Sequence, residues 1–318
     1  MGNGITMPTR WFGIRLEGIA QMRIGQRALQ FVTSCIAITA CAASAQAQPG
    51  FGEAEEHSRV SLISETETIA PDTSTMLAFE FNLDKSYHTY ADSYNDSGAP
   101  LITVWAKPTG VEIGDPIWPA PYRYEQPGGV LDHVYERRLF LMMPVSIDPS
   151  TPIGEEIVIS ASLEWLVCDS NLCVPQYGEV STTLNVASRV KPSEHAQKFA
   201  DARDSSGKLL TGARSDAVIV MWEGDTLVLS NLLGYGMSFI PAAESAEPLK
   251  LMENGRSDSG TLRIDFDFEE SDRVVGWVRL HKVKGNPGAP VNEKLWIINV
   301  KRGSKPNAFL GNSESESQ

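Results

Sequence analysis

The chain has 318 residues, with 27 basic against 40 acidic side chains, a net charge of −13 and 42% hydrophobic residues. An acidic surface argues against nucleic acid and anionic lipid as partners, while the apolar content is enough for ordinary cores.

Arg23 and Arg27 precede an apolar run, 28–43, that ends in small residues and Ala45-Gln46-Ala47. This is the pattern of a secretory signal cleaved after Ala47, and it is shorter than the roughly 20 residues a membrane span needs. Met22 is a better start for such a signal than Met1. The competing reading takes Ile38-Thr39-Ala40-Cys41 as a lipobox, which leaves a lipid-anchored Cys41 as the first mature residue. Residues 1–47 carry four arginines and one glutamate, so the mature protein has 23 basic against 39 acidic residues, net −16. Cys168 and Cys173 are then the two cysteines expected to survive in an oxidising compartment.

From residue 48 the pattern is β. Short alternating or β-branched runs at 75–83, 101–106, 138–147, 156–166 and 178–186 are separated by Asp96-Ser97-Gly98, Lys107-Pro108-Thr109-Gly110, Pro127-Gly128-Gly129 and Asp148-Pro149-Ser150, the punctuation of hairpins and meander loops. This spacing predicts an all-β fold, a β-sandwich at 48–189. One helix is expected at 193–203, opened by Pro192 and Ser193 and inside a linker at 190–215. A second, smaller β-rich domain is predicted at 216–303, with strands at 217–221, 226–230, 261–268, 274–281 and 295–300. The polar tail 304–318 is expected to be disordered.

The segment Trp165-Leu166-Val167-Cys168-Asp169-Ser170-Asn171-Leu172-Cys173-Val174-Pro175 is the most informative in the chain. Asp, Ser and Asn favour a tight turn, and a hairpin through 169–171 brings the two cysteines within the roughly 7 Å a disulfide requires. So short a ring removes only about 2 kcal/mol of unfolded-state entropy, which makes it a weak staple. It also holds what thiol-disulfide exchange needs: one thiolate to attack and a second thiol to resolve the mixed disulfide. The residues alone leave two readings open, an exchange pair and a static hairpin disulfide.

The order His88-Thr89-Tyr90, Asp96-Ser97-Gly98-Ala99-Pro100, Trp105 with Pro108-Thr109-Gly110, Ile117-Trp118-Pro119-Ala120-Pro121, Tyr135-Glu136 and the cysteine segment resembles the amino-terminal periplasmic domain of the DsbD-type thiol:disulfide interchange proteins. The resemblance covers about residues 70–188, with a weaker likeness of 217–302 to a second β domain found in some members. It implies an immunoglobulin-like sandwich that takes electrons from a membrane partner and passes them to exported thiol proteins. The chain has no polytopic membrane domain and no thioredoxin-like C-x-x-C domain. The expected donor is therefore a separately encoded membrane-embedded thiol carrier, and the expected acceptors are periplasmic thioredoxin-like or other disulfide proteins.

The resemblance makes Cys168 and Cys173 the reacting residues, with Cys173 the attacking thiol, in a protein-disulfide reductase component. Around them it places His88 and Tyr90 on one strand, and Tyr124 and Glu125 on a shielding loop at 122–127. A protonated His88 beside the pair would favour a thiolate; the plainer reading makes it a half-exposed strand residue. No metal or cofactor is expected, because the five histidines show no ligand spacing and two cysteines without a nearby histidine do not make a zinc site. Met142-Met143 reads as packing, and Ser97 as a turn serine without a nucleophile elbow. The alternative function is a non-enzymatic interaction module in which the same disulfide is structural.

Overall fold

The computed structural model describes residues 56–210, 218–231, 233–283 and 294–303. The predicted signal with its cleavage and lipidation sites, the tail 304–318 and part of the linker lie outside the described residues.

The first unit comprises β1 (Ser58–Ser64), β2 (Thr66–Ile69), β3 (Ser74–Leu83), β4 (His88–Tyr90), β5 (Ile102–Ala106), β6 (Val111–Ile113), β7 (Tyr122–Gln126), β8 (Val130–Glu136), β9 (Arg138–Ile147), β10 (Glu156–Cys168), β11 (Cys173–Val186) and β12 (Lys191–Pro192). One sheet runs β1-β3-β9-β6; the other runs β12-β2-β11-β10-β4-β8-β7, with β5 also paired to β10. Strict alternation explains the packing of the two sheets. On β10, Ile157, Ile159, Ala161, Leu163, Trp165 and Val167 all point inward, where they meet Leu77, Phe79 and Phe81 of β3 and Leu139, Leu141 and Met143 of β9. This is an immunoglobulin-like sandwich.

The expected strand from 178 begins at Cys173, because β10 and β11 stay in register to their last pair, Cys168↔Cys173. The predicted loop at 122–127 is instead strand β7, paired with β8 from Tyr122↔Val134 to Gln126↔Val130. Its sequence, Tyr-Arg-Tyr-Glu-Gln, lacks an aliphatic face because its two half-buried anchors, Arg123 and Tyr124, are polar or aromatic and pack on opposite sides of the strand.

The helix α1 (Ala196–Ser205) starts three residues later than predicted. It seats the fully buried Phe199 against Ile63, Ala78 and Met142 on the outer face of the first sheet. Met142 therefore packs under the helix and Met143 in the sandwich core.

The second unit contains β13 (Lys208–Leu209), β14 (Val218–Glu223), β15 (Thr226–Asn231), β16 (Gly236–Pro241), β17 (Glu247–Leu249), α2 (Leu251–Asn254), β18 (Arg256–Ser257), β19 (Thr261–Asp267), β20 (Arg273–His281) and β21 (Lys294–Lys301). The sheets β13-β21-β20-β16-β18 and β14-β15-β19-β17 enclose a core that includes Leu227, Leu229, Phe239, Ile264, Val278 and Ile298. One side chain of the first unit, Leu131 of β8, is buried in that same core. Nearby, Trp118 lies against the Ile240, Ala242 and Trp277 cluster, and Arg279 donates to the carbonyls of Ala120 and Pro121.

Candidate functional site

The β10–β11 hairpin carries both cysteines at its tip, where Cys168 and Cys173 form a disulfide with an S–S length of 2.04 Å. Asp169 shapes the turn: its Oδ1 accepts from the amides of Asn171 (2.7 Å) and Leu172 (2.8 Å), and its own amide donates to the Leu172 carbonyl (3.0 Å). Those amide bonds hold the Asp169 carboxyl below its ordinary range. Farther down the hairpin, Trp165 Nε1 donates to Ser58 Oγ, which donates to Gln176 Oε1, tying the hairpin to β1.

The two sulfurs have different surroundings. Cys168 is buried at 1% exposure, whereas Cys173 is exposed. Cys168 lies in a small cluster with Tyr90, Val134, Tyr124 and Leu166, and the Tyr90 hydroxyl donates to Cys168 Sγ at 3.2 Å and lies 3.8 Å from Cys173 Sγ. Burial, with the Asp132 charge adding to it, raises the Tyr90 pKa, so the phenol keeps its proton.

His88 lies directly beside the pair, in register with Cys168 across β4 and β10. It is buried rather than half-exposed, with its ring 5.5 Å from that of Tyr90 and 4.7 Å from that of Tyr124. Burial lowers its pKa and its Nε2 has no hydrogen-bond partner, so the imidazole is neutral near pH 7 and supplies no positive charge to a thiolate. Tyr124 comes from β7 and packs on the Cys168 side of the pair. Glu125, its neighbour, points to the opposite face of the strand, where its carboxylate accepts from Arg123 Nε at 2.5 Å. The structure thus gathers Cys168, Cys173, His88, Tyr90 and Tyr124, and leaves Glu125 outside.

A second layer escaped the sequence reading. Asp132 is fully buried on β8; it accepts from the amide (2.8 Å) and hydroxyl (2.6 Å) of Ser97 and from Gln126 Nε2 (2.7 Å). The same turn brings Gly98, at φ +70°, against the Tyr90 ring, so close that a Cβ there would lie 2.2 Å from a ring carbon. Only glycine satisfies both conditions. The available signal was Asp132-His133, a polar pair interrupting the apolar run 130–135, which marks either a strand end or a buried polar site.

An all-β sandwich presenting a half-buried, half-exposed cysteine pair at a hairpin tip defines the class: an immunoglobulin-like domain with a dithiol-disulfide centre. Residues 59–185 match the family model described as "Thiol:disulfide interchange protein DsbD, N-terminal", which places this domain among the DsbD amino-terminal domains. No curated protein matches the chain. Among solved structures, the N-terminal periplasmic domain of ScsB from Proteus mirabilis is 13% identical with a TM-score of 0.45, covering 78% of this chain and 95% of that one. The Neisseria meningitidis DsbD N-terminal domain in its reduced form is 13% identical with a TM-score of 0.26, covering 42% of this chain and 90% of that one.

Proposed function

We propose that the protein is an exported, periplasmic thiol-disulfide exchange component, relaying electrons through Cys168 and Cys173 from a membrane-embedded thiol carrier to periplasmic disulfide proteins. In this reading residues 48–189 hold the exchange centre and 216–303 form a scaffold beside it. The observation that carries the proposal is the asymmetry of the pair: Cys173 is exposed, while Cys168 is buried under a phenol that donates to its sulfur.

To charge the centre, a thiolate of the carrier attacks Cys173 Sγ. The Cys168–Cys173 bond breaks, and its electron pair leaves on Cys168 Sγ, which the Tyr90 hydroxyl stabilises by hydrogen bonding and which then takes a proton. The carrier's second thiolate attacks its own sulfur in the mixed disulfide, releasing Cys173 and leaving the carrier oxidised. Discharge reverses the roles: the Cys173 thiolate attacks a substrate disulfide, and Cys168 attacks Cys173 Sγ to release the reduced substrate. His88 and Tyr124 keep the Cys168 side dry throughout.

The test is equilibration with glutathione combined with trapping. The wild-type pair should equilibrate with reduced and oxidised glutathione, and Cys168→Ser, which keeps the attacking Cys173, should hold a thioredoxin-like protein as a mixed disulfide that Cys173→Ser does not. A bond that resists reduction below about −300 mV, with no trapped partner, would instead support the interaction-module reading.

A further inference from the structure

The β7–β8 hairpin has two working faces. One presents Tyr124 and Val134 to Cys168 and Tyr90; the other carries Arg123, His133 and Leu131, of which Arg123 and Leu131 reach the second unit. Arg123, whose side chain is only 6% exposed, donates to the carbonyls of Leu251 (Nη1, 3.0 Å) and Met252 (Nη2, 2.6 Å), and its Nη2 also lies 3.5 Å from Met252 Sδ. The docking position is tight: a Cβ at Gly255 would lie 2.5 Å from the Leu251 carbonyl oxygen and 2.7 Å from the Arg123 Nη1 that donates to it. Leu131, directly across from Glu125 in the hairpin, is buried in the second unit's own core. The flanking 91–95 segment is tied down as well, since Ser93 Oγ donates to the Pro241 carbonyl at 2.5 Å and Tyr94 Oη to the Ser245 carbonyl at 2.6 Å.

We propose that the second β unit is a clamp on the cover of the redox pair: residues 236–255 hold the β7–β8 hairpin closed over Cys168, and Arg123 is the positioning residue that transmits the hold. A five-pair hairpin packed on one face alone opens often by local unfolding. Anchoring its other face in a separate core makes that opening rare, because the guanidinium must leave two carbonyls and Leu131 must leave an apolar core. The clamp thereby sets how often Cys168 can be reached, as a lid does. Its meaning for electron relay rests on the exchange reading above, but the clamp itself can be measured independently of any partner.

The test uses the full chain, reduced and then pulse-labelled with N-ethylmaleimide, with the label on Cys168 and Cys173 counted separately by peptide mass spectrometry. Cys173, already exposed, is the internal reference. In Arg123→Ala the Cys168-to-Cys173 labelling ratio should rise at least fivefold over wild type, with Arg123→Lys intermediate because an ammonium cannot span both carbonyls. Gly255→Ala, which leaves the hairpin sequence untouched and crowds both the Leu251 carbonyl and the guanidinium bound to it, should raise the ratio in the same direction; it decides the matter if Arg123→Ala does not fold. A merely structural role lowers the melting temperature without moving the ratio, and an unchanged ratio in the folded variants overturns the clamp. A raised ratio in a protein that traps no disulfide partner keeps the clamp and removes only the exchange reading.

Discussion

The β10–β11 hairpin pairs continuously from Glu156↔Asn185 to Cys168↔Cys173, with one face of β10 buried in its own sandwich from Ile157 to Val167. The β7–β8 hairpin that covers its tip has five pairs and lies at the end of the same sheet, with Leu131 anchored in a neighbouring core. The first is positioned by its own register and inward-facing apolar residues, and the second by a unit that begins some eighty residues later in the chain. The cysteine pair is thus held by one hairpin and its cover by contacts of a different kind, and substitutions on the cover should reveal that division.

The largest effect is expected from Leu131→Ala, which removes a buried side chain at 4% exposure from the second unit's core. Such truncations cost about 2–5 kcal/mol. Amide exchange should accelerate in β7 and around residues 251–255 while the β10–β11 ladder keeps its protection; equal loss in both hairpins would mean that they are not held separately. Gly98→Ala comes next, at about 1–3 kcal/mol. Its Cβ collides with the Tyr90 ring and its backbone sits at positive φ, so Tyr90 must move from Cys168, and the melting temperature and the redox equilibrium of the pair should shift together. If Gly98→Ala changes stability alone, Tyr90 is not held by that turn. Smaller again is Tyr90→Phe, which deletes the hydroxyl bond to Cys168 Sγ. At about 1 kcal/mol for such a bond, release of the Cys168 thiolate should slow about fivefold in stopped-flow reduction by dithiothreitol, and an unchanged rate would show that the phenol only packs.

The same contrast governs what the sequence could reveal. β10 is legible because Ile159, Ala161, Leu163 and Trp165 alternate with Ser160, Ser162 and Glu164 on a sheet with one wet face, and the cysteine turn is legible because Asp169, Ser170 and Asn171 have turn chemistry of their own. β7 looks like a loop in the sequence because Arg123 and Tyr124 find their partners at Leu251, Met252 and Cys168, none of which is local. His88 was placed beside the pair by its family motif, but its neutral state follows from burial under Tyr90 and Tyr124, which no local pattern encodes. Asp132 was invisible for the same reason: its donors are Ser97, thirty-five residues earlier, and Gln126 across the hairpin.

Acidification provides the gentlest way to load the hairpin face that carries Arg123 and Leu131. His133, fully buried in β8 opposite Arg123, has Nδ1 2.8 Å from the Tyr94 carbonyl, so that nitrogen carries the proton, while Nε2 is buried without a partner. Burial lowers its pKa to about 4; the Tyr94 carbonyl and the Asp132 and Asp96 charges oppose the drop, and Arg123 adds to it. The unfolded chain, with a histidine near 6.5, binds more protons than the fold between these values. The fold is therefore unpenalised above about pH 6.5, loses stability as pH falls, and stops losing it below about pH 4. Between pH 7 and pH 6 the loss is under about 1 kcal/mol, growing steadily below that, and His88, also lowered by burial, acts in the same direction. His133→Asn keeps a donor for the Tyr94 carbonyl without a titrating ring, so its melting temperature should fall less than that of wild type between pH 7 and pH 5. Parallel curves for the two proteins would mean that His133 does not hold that face and leave Arg123 and Leu131 as its anchors.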